Sequence, residues 1–222
     1  MKVFVVNAYK ERKEKYNDNY ELYDAVWWEG VKENEYSRYN LRYNAKTPLR
    51  QKIAACSMSH KNLLNKIIEE DLTDVFVIED DAIIDNFDSL KKVMKEANNE
   101  FCYIGGDLFS PLNKDAKEFK SKTKDEIRKT LKEGINIINP DKFIILNTHG
   151  YYIPNKSVAE DILNYIPNAK KEKAIDIEYK SLQKKKIIKK FIYPAISILV
   201  VDEAKNGFSK MYNNFTDDKK YY

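Results

Sequence analysis

Glycine is scarce in this chain, with six in 222 residues. Neither a G-x-x-x-x-G-K-[ST] phosphate loop nor a G-x-G-x-x-G dinucleotide turn occurs. Any nucleotide must therefore be held without a glycine-rich cradle. Cysteine is scarcer still. Cys56 and Cys102 alone exclude a disulfide framework and a four-cysteine zinc site, and they suit a reducing compartment. No apolar run reaches the length of a membrane span, and Met1-Lys2-Val3-Phe4-Val5-Val6 is too short for a signal peptide. The expected location is cytoplasmic (that of a host cell if the source is viral). An excess of one charge is missing too: 39 basic against 35 acidic residues leave +4, which is no nucleic-acid footprint. What remains is an ordinary globular composition, 43% hydrophobic and 33% charged, with length enough for one large core. Lys, Asn, Ile and Tyr abound in a way that fits a codon bias towards A and T, so their numbers carry little weight.

Hydrophobic periodicity supplies the elements. Residues 2–7 read as a buried first strand ending at Asn7. Residues 10–16 suggest a charged helix, 23–28 a second strand, and 29–49 polar, tyrosine-rich loops. From 51 to 70, Ile53, Ala54, Met58, Leu63, Leu64, Ile67 and Ile68 fall near helical spacing. A turn at 71–74 leads into a strand at 75–78. Asp88 is the expected N-cap of a helix through Ala97. A strand over 101–105 follows, closed by Gly105-Gly106. Residues 107–142 look least sheet-like, an insertion or flexible acceptor-side segment with one helix near 124–132. Short strands at 143–146 and 151–153 flank Asn147-Thr148-His149-Gly150. Helices at 157–165, capped by Ser157, and at 174–183 precede late strands within 192–201 and a polar tail at 213–222. Strands alternating with helices, without repeat or linker, predict one α/β domain over 1–212 with a largely parallel sheet.

The chemistry concentrates where Val75-Phe76-Val77-Ile78 runs into Glu79-Asp80-Asp81. Three adjacent carboxylates repel one another, and each must stay hydrated or find a counter-ion. Alone, the triplet reads equally well as a solvated acidic turn or as a cation site. In a site, alternation lets Glu79 and Asp81 face one way while Asp80 bonds backbone or a sugar hydroxyl. Hard oxygen donors favour Mg²⁺ or Mn²⁺ over zinc, and such an ion bridges the phosphates of a nucleotide. Cys56 with His60 could suggest a thiol nucleophile or half a zinc site. No second ligand pair supports that, and a cysteine on an apolar helix face is usually buried filler. Ser59-His60 interrupts an apolar helix just before the acidic strand; a satisfied helical histidine is its plainer reading.

In order, Asn7 and Arg12, then Ala55-Cys56-Ser57-Met58-Ser59-His60, then Ile78-Glu79-Asp80-Asp81 resemble glycosyltransferase family 25, which includes lipooligosaccharide and collagen galactosyltransferases. The family's G-C-x-x-S-H carries Ala55 in place of its glycine here. Its L-E-D-D is Ile78 to Asp81. Further pieces follow in the same order: Phe101 to Gly106, Thr148 to Ile153, Ala174-Ile175-Asp176 for "P-I-D", and Asn206 to Ser209. The similarity spans residues 2–209.

The resemblance implies a GT-A fold, a Rossmann-like sheet that binds a nucleotide-sugar, usually UDP-linked, with Mn²⁺ or Mg²⁺. It implies transfer of a hexose, galactose or glucose, with inversion, to a glycan, lipooligosaccharide or protein-linked acceptor. Glu79 and Asp81 would hold the metal; Asn7, Arg12, Ser59, His60 and Asp80 would shape the donor side. Inversion needs a base for the acceptor hydroxyl. Asp176 is the first candidate, with an N-cap or a surface acid as its bland alternative. Asp107 is the second. His149 reads most simply as a turn histidine. Because enzymes of this fold can bring a distant histidine onto the metal, it is also a ligand candidate. The basic run Lys184-Lys185-Lys186 with Lys189-Lys190 reads as a solvated helix face or as a peripheral contact for an acidic acceptor or membrane. Of Trp27 and Trp28, one is expected in the core and the other free to stack on a sugar or base. A nucleotidyltransferase on a similar sheet and a non-catalytic basic module are the rival readings.

Overall fold

Alternation along each central strand builds two cores at once. Phe4 and Val6, Val75 and Val77, Phe101 and Tyr103, and Tyr151 and Ile153 share one core, while Val3 and Val5, Phe76 and Ile78, Cys102 and Ile104, and Tyr152 share the other. A strand apolar on both faces must be covered on both. The computed structural model describes residues 1–8, 10–38, 47–109, 127, 129–166, 173–193 and 199–201, without the side chains of 10, 11, 47, 107, 109 and 199–201.

Nine strands are described: β1 (Lys2–Asn7), β2 (Glu21–Asp24), β3 (Val75–Glu79), β4 (Ala82–Ile84), β5 (Cys102–Phe109), β6 (Gly134–Ile137), β7 (Ile144–Ile153), β8 (Lys190–Tyr193) and β9 (Leu199–Val201). The helices are α1 (Glu33–Tyr36), α2 (Thr47–Glu69), α3 (Phe87–Ala97), α4 (Lys156–Tyr165) and α5 (Ile175–Lys184). Seven strands form one sheet in the order β2-β1-β3-β7-β5-β8-β6, and β4 pairs with β9. Leu63, Leu64 and Ile67 of α2, Ala159 and Ile162 of α4, and Tyr179 and Leu182 of α5 cover one face. Leu90 and Val93 of α3 cover the other. The result is a Rossmann-like α/β sandwich. Among the described residues no helix is long and apolar enough to cross a membrane.

The sheet is largely parallel, as expected, with two strands reversed: β2, β1, β3, β5 and β8 run one way, β7 and β6 the other. Parallel pairing holds for β2-β1-β3 and for β5-β8. β7 runs antiparallel to β3 and β5, and β6 antiparallel to β8. The expected pair of short strands at 143–146 and 151–153 is one strand. Asn147 takes a left-handed conformation (φ 66°) within it, and β5 answers with register shifts around Gly105. A Cβ on Gly106 would lie 2.6 Å from Ile145 Cγ2 and 2.9 Å from the Leu146 carbonyl oxygen, so glycine is what lets β5 close on β7. The expected insertion at 107–142 shrinks from both ends. Residues 107–109 finish β5, and β6 is an edge strand of the main sheet. Residues 110–126 and 128 lie outside the described residues, as do 194–198 and the tail beyond 201.

Helix starts differ from expectation by one or two residues because Asn outcompetes its neighbours as a cap. Asn86 Oδ1 accepts from the Asp88 and Ser89 N–H groups, so Asp88 lies inside α3. Asn155 likewise caps α4 by accepting from the Val158 N–H, in place of Ser157. The segment at 10–16 is a 3-10 helix, Lys10–Lys15, and the second strand stops at Asp24.

Candidate active site

β1, β2 and β3 are parallel, so Asn7, Asp24 and Glu79 emerge at one edge of the sheet. Ligands bind at the carboxyl ends of such strands. The alternation of β3 directs Glu79 to the α2 face, and the following turn separates the other two acids.

Asp80 turns inward. It is 4% exposed, and its Oδ2 accepts from the Ala8 N–H at 2.8 Å while Oδ1 pairs with the Arg12 guanidinium at 2.5 Å. Asp80 and Arg12, both expected on the donor side, thus bind each other and pin the segment after β1 to the end of β3. Asn7, beside them, is buried, and its Oδ1 has no hydrogen-bond partner among the described residues.

Glu79 and Asp81 meet His149. Ile78 of β3 lies opposite Gly150 of β7, so one further step of that register sets Glu79 against His149. His149 Nδ1 lies 3.4 Å from Glu79 Oε2 and 3.8 Å from Asp81 Oδ1. These three residues offer ligand atoms all within 4.8 Å of one another. The other oxygen of Glu79 faces the protein: Oε1 accepts from Thr148 Oγ1 at 2.5 Å and lies 3.4 Å from His60 Nε2. Cys56, His60 and Glu79 make a second close group. Burial pushes the Cys56 thiol well above its ordinary value, and the charges of Glu79, Asp176 and Asp81 add to it, so this cysteine stays protonated and is no nucleophile.

The electrostatics follow from this packing. Burial would raise the Glu79 carboxyl, but hydrogen bonds from His149 and His60 and the charge of His149 outweigh it and hold Glu79 well below the usual carboxylate range. Burial would lower His149, but Asp81 and Glu79 raise it to about 10. The raised histidine stabilises the fold fully below its unfolded value of about 6.5, and that stabilisation is lost as pH rises through the folded value. In chelator-treated protein, stability is expected to decline between about pH 6.5 and pH 9, by an amount on the order of 3 kcal/mol. Chemical denaturation across that range measures it; His149→Gln should flatten the slope, and an unchanged slope in that variant would refute the assignment.

A model described as "Glycosyltransferase family 25 (LPS biosynthesis protein)" matches residues 6–179. The chain belongs to glycosyltransferase family 25. Comparison with curated proteins found none that matches. As a family 25 member the chain is a glycosyltransferase, built on the α/β sheet described above.

In this transferase Asp176 lies in the first turn of α5, whose N-cap is Ala174. The Ile175 N–H donates to Ser57 Oγ at 3.0 Å, which docks that helix end on α2. Asp176 Oδ1 accepts from the Ile177 N–H at 2.8 Å. Burial raises the Asp176 carboxyl, and the Glu79 charge raises it further, so Asp176 shares the field of the acidic cluster. Its backbone in the first turn answers the capping alternative; Glu178 serves that end instead, accepting from the Lys173 N–H at 3.0 Å. Asp107 of β5 pairs with Leu146 of β7, and its side chain lies outside the described residues.

Ser59 and His60 of the transferase are fully buried. Ser59 Oγ donates to the Ala55 carbonyl and accepts from the Val26 N–H, tying α2 to the segment after β2. Trp28 packs beside Val31, Ala54 and Ala55 under Lys52, while Trp27 is 46% exposed. Lys189 and Lys190 both pair with Glu100 at 2.8 Å; Lys184, Lys185, Lys186 and Lys189 are exposed and Lys190 is half-buried. Thr148 and Tyr151 were not expected in the site. The available signal was the antiparallel register of β7, which a reading of 143–153 as two strands hides.

Proposed function

We propose that this family 25 chain is an inverting, metal-dependent hexosyltransferase that moves galactose or glucose from a UDP-sugar to a hydroxyl of a glycan, lipooligosaccharide or protein-linked acceptor. The observation that carries the proposal is the convergence of Glu79, Asp81 and His149 at the carboxyl end of β3, with Asp176 in the same electrostatic neighbourhood. Two carboxylates and an imidazole, already within 4.8 Å of one another, fit a divalent cation such as Mn²⁺ or Mg²⁺. When bound, the ion would neutralise charge on the diphosphate leaving group.

The remaining roles belong to the protein. Asp176, whose burial makes it a stronger base than an exposed aspartate, accepts the proton of the acceptor hydroxyl. The acceptor oxygen then bonds the anomeric carbon from the face opposite UDP, and the bond to the diphosphate oxygen breaks. Asn7 supplies a buried acceptor at the nucleotide side, on a segment fixed by the Asp80–Arg12 pair. Asp107 is retained as a second candidate base from its place on β5. The free cysteines fit a reducing, cytoplasmic setting.

UDP release from UDP-galactose or UDP-glucose, measured with Mn²⁺, with Mg²⁺ and with chelator, tests this reading. Cation-dependent release is expected, falling at least tenfold with chelator. Neither turnover nor binding with any nucleotide-sugar would overturn it.

A further inference from the structure

We propose that His60, Tyr151 and Thr148 are positioning residues: a buried brace that fixes Glu79 so that only Oε2 is presented to a divalent cation. The inference rests on the metal-site reading above and adds how the ligand is held. His60 is fully buried on α2, with Nδ1 2.8 Å from Tyr151 Oη and Nε2 3.4 Å from Glu79 Oε1. An ionised Glu79 can only accept, so His60 Nε2 must carry a proton. Nδ1 meets the Tyr151 hydroxyl, which donates to it in the Nε2–H tautomer. Thr148 Oγ1 donates to the same Oε1. Oε1 is thus fixed from α2 and from β7, while Oε2 faces His149.

The brace is itself tightly packed. The Tyr151 ring stacks on Phe101 at 5.3 Å and meets Tyr179 edge-on at 5.7 Å, with no exposure to solvent. A glutamate has three torsions to lose on binding a cation. Fixing one oxygen beforehand removes most of that cost, and partners behind a metal ligand commonly govern its affinity. A histidine needed only to hold α2 on the sheet would require no partner at Glu79. The side chain instead spans from Tyr151 to the one carboxylate common to both close groups of metal-ligating side chains.

Tyr151→Phe and Thr148→Val each remove one hydroxyl while keeping shape. Mn²⁺ binding to the purified, nucleotide-free protein would be followed by the loss of the free-ion EPR signal, with thermal unfolding in parallel. Each variant is expected to bind Mn²⁺ about tenfold more weakly than wild type, while melting with the same cooperativity. Wild-type affinity in both folded variants would overturn the brace and leave the metal site standing. No Mn²⁺ binding by the wild type would instead remove the metal reading and the brace with it. Nitrogen NMR of the histidine rings gives a readout that needs no variant: His60 is expected to carry a proton on Nε2, and a ring protonated on Nδ1 alone would overturn the proposal.

Discussion

Asp80→Ala is expected to lower the unfolding free energy by about 3–4 kcal/mol, the cost of breaking a buried charge pair from one side. Asp80 is 4% exposed and gives one oxygen to the Ala8 N–H and the other to Arg12. Its removal untethers the segment that leaves β1 from the end of β3. For a domain of this size the melting temperature should fall by about 10 °C. Asp80→Asn keeps the shape and one acceptor, so roughly half that loss is expected. Thermal and urea unfolding measure both. A fall of under about 2 °C for the alanine variant would show that the pair contributes nothing to stability.

Asp81→Ala should do the reverse. Asp81 lies beside Glu79 and His149, where its carboxylate adds repulsion as well as attraction. Removing it is expected to shift the melting temperature by only a few degrees. Transfer should fall about 10³-fold, which corresponds to about 4 kcal/mol of transition-state stabilisation, and Mn²⁺ binding should weaken in parallel. Full activity in this variant would rule out the metal assignment. The contrast between the two variants is the useful quantity: of two neighbouring aspartates, one is expected to move stability and the other activity.

The acidic strand end was legible in the sequence because an apolar run that stops on three charges has few explanations. So were β1, α2, α3, α4 and α5, whose apolar spacing is strong. The caps of α3 and α4 were misplaced because Asn86 and Asn155 compete with Asp88 and Ser157 for the same orphan N–H groups. The continuity of β7 was illegible because Asn147 adopts φ 66° inside it and reads as a turn. That one residue also hid the place of His149, which stands on a strand and not in a loop.

Local sequence thus determined a two-sided α/β sheet and a cluster of carboxylates at the end of one strand, because burial period and charge repulsion act over a few residues. It also carried, through the order of short motifs, the resemblance to the family. Only the tertiary structure decided which partners each acid meets. Glu79, Asp80 and Asp81 are chemically near-equivalent in the chain. They differ because Ala8 and Arg12 reach Asp80 from β1, His60 and Thr148 reach Glu79 from α2 and β7, and His149 faces Glu79 and Asp81 across the antiparallel register. Apart from His60 and Glu79, which are 19 apart, those contacts join residues about 70 apart in sequence, a distance over which no local propensity acts.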